Sequence, residues 1–301
     1  MSTIELEGRR LRLTNLEKVL WPAAGRRKAW LIEYYTRIAP VLLPYLEGRP
    51  LTMRRFPDGV EGVSWHQNEC RGEPDWFHVL EPPGKGGRVL RFCVVDDLSS
   101  LVWVANHGTL ELHPFQWTAD APRRPTTLVF DLDPGPPAAL AECARVAVLL
   151  RDLLAQLGLA SFPKTSGSLG LHLHVPLGMP HDGEHAKRFA RAVAEALAQQ
   201  HPGAVIAEVD KSRRAGKVFV DWLQNDPTRQ TVAPYSLRGL TWPTVAAPVT
   251  WDEVERPEAL TFLGDDVLRR VERDGDLFEP VRAYARAGAS GAVAASAASE
   301  A

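Results

Sequence analysis

The sequence predicts a mixed fold, α/β or α+β, on three observations. Apolar runs of strand length alternate with stretches of helical periodicity through the middle of the chain. Their order is irregular, which does not suit a plain doubly wound sheet. The chain has 301 residues, 45% of them hydrophobic and 24% charged, enough for one large domain or two small lobes with a substantial core.

Residues 28–47 space their apolar side chains like a helix, which Pro40 interrupts. Residues 88–95 read as a strand, 96–106 as a short helix with an aspartate near its start, and 109–113 as an alternating strand. A Pro- and Arg-rich loop at 121–125 leads into an apolar strand at 126–130. An amphipathic helix over about 137–157 should stop at Gly158. Strands near 160–164 and at 171–176, a helix over about 184–200 and a strand at 217–223 follow. From 245 onward the chain reads as peripheral turns and helix, and the Ala/Ser/Gly-rich stretch 286–301 as a disordered tail after a domain spanning 1–285.

Residues 1–12 are polar and charged, unlike a secretory leader, and no apolar run reaches the ~18 residues of a bilayer span, so no membrane association is expected. Formal net charge is −2, so any phosphate binding must come from local patches. Cys70, Cys93 and Cys143 show neither paired nor metal-ligand spacing. That argues against a disulfide framework and a zinc finger, and for a reducing, cytoplasmic compartment.

The sharpest chemical signal is Asp131-Leu132-Asp133 at the end of the apolar strand. Residues i and i+2 of a strand share a face, and two carboxylates there repel unless a cation joins them. Hard divalent cations want oxygen ligands, so Mg²⁺ or Mn²⁺ is the expected guest. Asp221 lies in a second apolar strand, Val218-Phe219-Val220-Asp221-Trp222, where an unpaired ionised carboxylate is costly. Three such acids on adjacent strands suit two cations ~3.5–4 Å apart, as phosphoryl transfer requires. For Asp133-Pro134 alone, a cap of the following helix is the competing reading.

A second signal is Lys164-Thr165-Ser166-Gly167-Ser168-Leu169-Gly170-Leu171-His172-Leu173-His174. Its Gly/Ser turn is expected to offer backbone N–H and hydroxyl donors to a phosphate, with His172 and His174 on one face. The third signal is basic: Lys211, Arg213, Arg214 and Lys217 before Asp221, with Arg229 and Arg238 after it, suits a triphosphate. Two more patches, Arg26-Arg27-Lys28 and Arg49, Arg54 and Arg55, are candidate phosphate contacts, with a solvated charged face as the alternative.

Together these motifs resemble the polymerase domain of bacterial ligase D, a branch of the archaeo-eukaryotic primase superfamily. The resemblance also rests on Leu16-Glu17-Lys18-Val19-Leu20-Trp21-Pro22, Leu110-Glu111-Leu112-His113-Pro114, Gly216-Lys217 and the stretch after it to Gln224-Asn225, and Thr231-Val232-Ala233-Pro234-Tyr235-Ser236-Leu237-Arg238. It implies a two-lobed α+β fold, an α/β unit plus an RRM-like unit with the site in the cleft between them. Asp131, Asp133 and Asp221 would hold two Mn²⁺ or Mg²⁺ ions, with His113 beside them. Ser166, His172 and Arg238 would contact the triphosphate of an NTP or dNTP, with Lys164, Lys211, Arg214, Lys217 and Gln224 nearby. Lys18, Lys28, Arg54, Arg55 and Trp65 would meet DNA, Trp65 by stacking on a base. The implied activity is gap filling and end processing on primer–template DNA in non-homologous end joining, in the cytoplasm at the nucleoid, with Ku and a DNA ligase as partners.

Two departures stand out. Leu169 occupies a position where the family often carries Lys, so one triphosphate contact is missing or supplied elsewhere. Arg54 and Gln67 stand where the family's 5′-phosphate pocket has lysines, which removes a charge at 67. Other readings of the same residues are a stand-alone primase, which needs the same site, and a non-catalytic DNA-end-binding module, which has no use for three coordinating acids. A haloacid-dehalogenase-type phosphatase also begins strand-Asp-x-Asp, but the Pro134-Gly135 that follows and the missing late acidic pair disfavour it.

Overall fold

The computed structural model describes residues 2–82, 90–178 and 181–284, which divide into two compact units. The tail expected at 286–301 and the first two residues of the strand expected at 88–95 lie outside the described residues.

The first unit comprises the chain up to Pro122 together with 230–247 and 262–275. It opens with a hairpin, β1 (Ser2–Leu6) and β2 (Arg9–Leu13), followed by the short strands β3 (Val19–Trp21) and β4 (Arg26–Arg27). The hairpin turns on Glu7 and Gly8, both at positive φ (52° and 73°), the pairing that a tight two-residue turn demands. Helix α1 (Lys28–Leu42) runs through Pro40, near enough to its end that little ladder is lost, and passes into a 3₁₀ turn. Leu31, Tyr34, Tyr35, Ile38 and Leu42 form its fully buried stripe. Next come β5 (Pro50–Arg55), β6 (Trp65–Gln67), β7 (Val79–Leu80), β8 (Phe92–Val94), helix α2 (Leu98–Asn106) and β9 (Thr109–Pro114). Asp97 caps α2 by accepting Ser100 N–H at 2.8 Å, while Ser100 Oγ accepts Asp97 N–H. All pairings among β5–β9 are antiparallel, with β5 bonded to β6, β8 and β9. The expected unit of mixed helix and sheet is present, with antiparallel pairing throughout these strands.

The stretch Thr231–Arg238 acts almost as another strand beside β9. Ala233 N–H bonds Leu112 O at 2.9 Å, and Leu112 N–H bonds Ser236 Oγ at 3.0 Å. The buried Tyr34 and Tyr35 hydroxyls donate to Tyr235 O and Leu110 O, which fixes the segment that delivers Arg238.

The second unit holds residues 123–229, 248–261 and the described residues from 276. Its elements are β10 (Thr127–Pro134), α3 (Leu140–Gln156), β11 (Phe162–Thr165), β12 (Leu171–Pro176), α4 (Gly183–Gln200), β13 (Val205–Ile206) and β14 (Val218–Asp221), with the single turn α5 (Trp251–Val254) later in the chain. The last helix, α6 (Gly264–Asp274), belongs to the first unit. The sheet order is β11-β12-β10-β14-β13. Its first four strands and the helices α3 and α4 form the split β-α-β arrangement of RRM-like folds, as expected. Along β10, Leu128, Phe130 and Leu132 alternate with Val129, Asp131 and Asp133, so one face is wholly apolar and buried while the other carries the two carboxylates beyond the buried Val129.

One cysteine expectation fails. Cys70 and Cys93 form a disulfide, Cα–Cα 4.9 Å, tying the segment after β6 to β8, while Cys143 is free and buried. Spacing in sequence carries no information about cysteines that meet only through sheet pairing. Among the described residues no helix is long and apolar enough to cross a membrane. The bridge spans a sequence separation of 23, for which loop-closure entropy is worth about 3 kcal/mol. A Cys70→Ser/Cys93→Ser variant should lose about that much unfolding free energy in guanidinium titration; an unchanged midpoint would mean the bridge contributes nothing.

Candidate active site

The site in the second unit is a row of residues directly opposed across four strands. Asp221 of β14 pairs with Asp131 of β10, Asp131 with His172 of β12, and His172 with Lys164 of β11. Directly opposed residues project to the same face, and Asp133 shares it by its i+2 position. All four strands thus bring Asp131, Asp133, Asp221, His172 and Lys164 together, whatever their distance in sequence. Helix α3 begins only at Leu140, so Asp133 does not cap it.

Burial and mutual repulsion dominate the electrostatics. Asp133 is pushed up to about 7 by burial, then by the charges of Asp131 and Asp221, against the pull of Arg214 and Lys211. Asp221 is raised by burial and by Asp131, against Leu223 N–H, Arg229 and Gln224. His172 Nε2 lies 3.3 Å from Asp131 Oδ1. Asp221 Oδ1 accepts Leu223 N–H at 2.9 Å and its Oδ2 accepts the Gln224 amide at 3.2 Å. Among the described residues no three His, Cys, Asp or Glu side chains already converge on one point as metal ligands. A cation would draw the Asp221 carboxylate away from these two partners. In donor type and shared face the three acids suit a hard divalent ion, and such an ion relieves the repulsion that lifts Asp133.

Two glycines hold the flanking loops close. A Cβ on Gly135 would stand 1.9 Å from Arg214 O, and Gly135 N–H bonds Lys217 O at 2.8 Å. The basic segment is thereby laid against the Asp131-Leu132-Asp133 motif. A Cβ on Gly170 would stand 2.0 Å from Leu132 O, so the Ser166 turn sits on the strand between the two aspartates. In that turn Ser166 Oγ accepts Ser168 N–H and Gly170 N–H, both at 3.1 Å, and Ser166 N–H bonds Gly170 O. Those three N–H groups are therefore used within the turn itself. Leu169 is 72% exposed at its tip, so a lysine there would also have projected into solvent. Arg214 lies 3.6 Å from the Phe219 ring centroid and donates to Val209 O, whereas Arg213 pairs with Glu208. Asn225 continues where β14 ends, its amide exchanging hydrogen bonds with Val129 N–H and O at 2.8 and 2.7 Å.

The first unit assembles a second polar centre, which the sequence reading missed. Glu111 is completely buried. It accepts from Arg54 at 3.1 Å and Gly239 N–H at 2.9 Å, lies 2.9 Å from His113 Nε2 and pairs with Arg238 Nε at 3.2 Å. Burial would raise its carboxyl; the His113 hydrogen bond, the charges of Arg238 and His113, and Gly239 N–H hold it at about 2 instead. His113 is lowered by burial and by Arg238 and His66, against Glu111. The signal was present in the alternation Thr109, Glu111, His113 along one face of β9, opposite Leu110 and Leu112.

The residues expected at DNA divide. Arg54 turns to Glu111 and Phe56. Lys18, Lys28 and Arg55 form a cationic cluster in the first unit. Lys28 is pushed down to about 8 by burial, then by the charges of Lys18 and Arg55. It donates to Thr14 O at 2.6 Å, Lys18 donates to Pro57 O and Asp58, and Arg55 donates to His107 O and Gln67 Oε1. Gln67 therefore accepts from a guanidinium that a lysine in its place would repel. Trp65 is exposed, 5.4 Å from Arg55. Arg49, by contrast, turns inward to Phe115 O.

Two predictions follow from the electrostatics. Because the folded-state value of Asp133 lies above its unfolded value, the native state binds the extra proton between about pH 4 and 7. Without divalent cations, stability should fall as pH rises through that window, and Asp133→Asn should flatten the profile in denaturant titrations at several pH values. The buried Glu111 should tolerate truncation poorly: Glu111→Ala leaves four cationic or polar partners uncompensated and should cost about 3–5 kcal/mol in the same titrations, while a loss under about 1 kcal/mol would show that the cluster is not a unit.

A family model for the LigD primase-polymerase domain matches residues 27–278. The multifunctional non-homologous end joining DNA repair protein LigD of Mycobacterium tuberculosis is 43% identical over 285 residues, 92% of this chain and 37% of that protein. The bifunctional LigD of Bacillus subtilis is 32% identical over 271 residues, 88% of this chain and 43% of that protein. The chain thus spans about two fifths or less of the first of these curated relatives. The solved polymerase domain of Mycobacterium tuberculosis ligase D, in complex with DNA, superposes with a TM-score of 0.87 at 43% identity, covering 91% of this chain and 98% of that one. The nucleotidyl transfer carried out by such domains is generally metal-dependent. The chain belongs to the LigD primase-polymerase family, and is a nucleotidyltransferase of the α+β polymerase-domain type.

Proposed function

We propose that this chain extends primer 3′ ends on DNA with NTPs or dNTPs, filling gaps and processing ends during bacterial non-homologous end joining, beside Ku and a DNA ligase. The name of the mycobacterial relative and the DNA in its solved polymerase domain support the substrate and the pathway. The observation that carries the chemistry is the direct opposition of Asp131 and Asp221 with Asp133 on the same face. These three carboxylates would hold Mg²⁺ or Mn²⁺, which when bound supply charge neutralisation and activation of the attacking hydroxyl. Two such ions are the reading retained from the sequence.

The chain's own residues then divide the work. Lys211, Arg214 and Lys217 lie along the loop fixed by Gly135 and stabilise charge building on the triphosphate. Gln224 and His172 hold the Asp221 and Asp131 carboxylates in orientation. Ser166 shapes the turn beside Leu132 rather than lending its backbone amides, and Lys164 closes the row. Arg238 would serve the nucleotide phosphates and His113 the metal site, both kept in place by Glu111. Lys18, Lys28 and Arg55 form the pocket for a phosphate of the DNA end, with Trp65 as a stacking platform. A lysine lowered by burial and by its cationic neighbours gains most when an anion arrives. A DNA substrate places the chain in the cytoplasm at the nucleoid, where a disulfide such as Cys70–Cys93 is unusual.

Removal of Asp131 tests this reading. Asp131→Ala should reduce primer extension by at least roughly a hundredfold, since the cation contribution amounts to several kcal/mol, with circular dichroism unchanged. Extension at the wild-type rate would remove the three acids from the mechanism.

A further inference from the structure

The first unit also holds a recess beside β2 and α2. A cavity of about 400 Å³ is lined by Arg10, Arg12, Thr14, Trp76, Trp103 and His107, among others. Its walls are aromatic. Trp103 and His107 have ring centroids 4.1 Å apart, and Phe77 backs Trp103 at 4.8 Å. Arg9, ion-paired with Asp97, lies 4.6 Å from the Trp76 ring and fixes that indole. At the rim, Arg10 and Arg12 are exposed on β2. Among the described residues neither guanidinium makes an ion-pair contact, although Glu5 stands opposite Arg10 across the hairpin. Aromatic faces beside two guanidinium groups that outnumber the one nearby acid match one kind of ligand well, a base carrying a phosphate.

Continuity selects the source. Thr14 and His107 line this cavity, and the same two residues accept hydrogen bonds from Lys28 and Arg55 of the cationic cluster. A strand whose terminal phosphate sits on that cluster has its neighbouring nucleotide within reach of the recess. We propose that the cavity receives one unstacked nucleotide of a single DNA strand, its base against the Trp76 and Trp103 wall and its phosphate on Arg10 and Arg12. The inference rests on the reading of the chain as a polymerase acting on DNA ends. It adds a subsite that grips the strand beyond its terminal phosphate and thereby favours frayed or single-stranded ends over blunt ones.

The test uses the full chain and a fluorescein-labelled, 5′-phosphorylated single-stranded oligonucleotide, with fluorescence anisotropy as readout. Trp76→Ala should weaken binding roughly tenfold, the loss of one stacked base. Arg10→Ala/Arg12→Ala should make the log–log salt dependence shallower by about 0.7, for the one phosphate of a single strand that the pair holds. Extension of a primer on a template without a downstream strand should stay at the wild-type rate in both variants, which also establishes that they fold. Unchanged oligonucleotide affinity and salt slope in active variants would overturn the subsite while leaving the polymerase reading standing. Binding of free deoxynucleoside monophosphate that competes as well as the oligonucleotide would also overturn it, in favour of a mononucleotide site. A wild-type chain that neither binds nor extends any primer–template would overturn both readings.

Discussion

The structure depends above all on two aspartates facing each other across a pair of hydrogen-bonded strands. Asp131 and Asp221 are Cα partners in the antiparallel ladder, a position where like charges destabilise a sheet. Asp133 adds a third carboxylate on the same face. Everything around them moderates that repulsion without abolishing it. Arg214, Lys211 and Arg229 offset part of the negative charge, Leu223 N–H and Gln224 satisfy oxygens of Asp221, and a proton is retained on Asp133 to near neutral pH. A fold that only needed stability would replace one of these acids. Keeping all three is intelligible if the sheet is a support for divalent cations, as the metal dependence general among nucleotidyltransferases of this family implies.

The backbone requirements follow from the same constraint. Cations near a triple-acid site are useful only if they arrive together with a triphosphate, so the basic segment must lie close to the carboxylates while its own charges stay available. Gly135 permits that approach, because any side chain there would strike Arg214. Gly170 does the same for the Ser166 turn against Leu132. The first unit solves the opposite problem. There the cations outnumber the acids, and the fully buried Glu111 gathers Arg54, His113 and Arg238 into fixed positions. A buried carboxylate with several charge-assisted partners specifies geometry more than it adds stability.

Much of this was legible in the sequence, for physical reasons that can be named. The helix from Leu140 to Gln156 and the strands on either side carry strong periodicity, and Asp97 is a plain helix cap. The acids stood out because ionised groups in apolar strands need an explanation, and the family resemblance rested on motifs that are all built around them. What was not legible depends on pairing between distant segments. The β1–β2 hairpin is too polar to read as a strand pair, since half of each strand faces solvent. The Cys70–Cys93 bridge forms only because β8 returns beside the segment after β6. Arg54 and Arg55 are adjacent and identical in type, yet pleating sends one to Glu111 and the other to the Lys28 cluster. Glu111 was overlooked because its partners Arg54 and Arg238 come from other segments of the chain.

The central claim is that the three aspartates form a cation site whose repulsion the ion relieves. Carbon-13 NMR titration of the Asp133 carboxyl tests it directly, with and without Mg²⁺. The account predicts a midpoint near 7 in the free protein and a fall to below the ordinary carboxylate range of about 4 once Mg²⁺ is present. A midpoint near about 4 that Mg²⁺ leaves unmoved would contradict it.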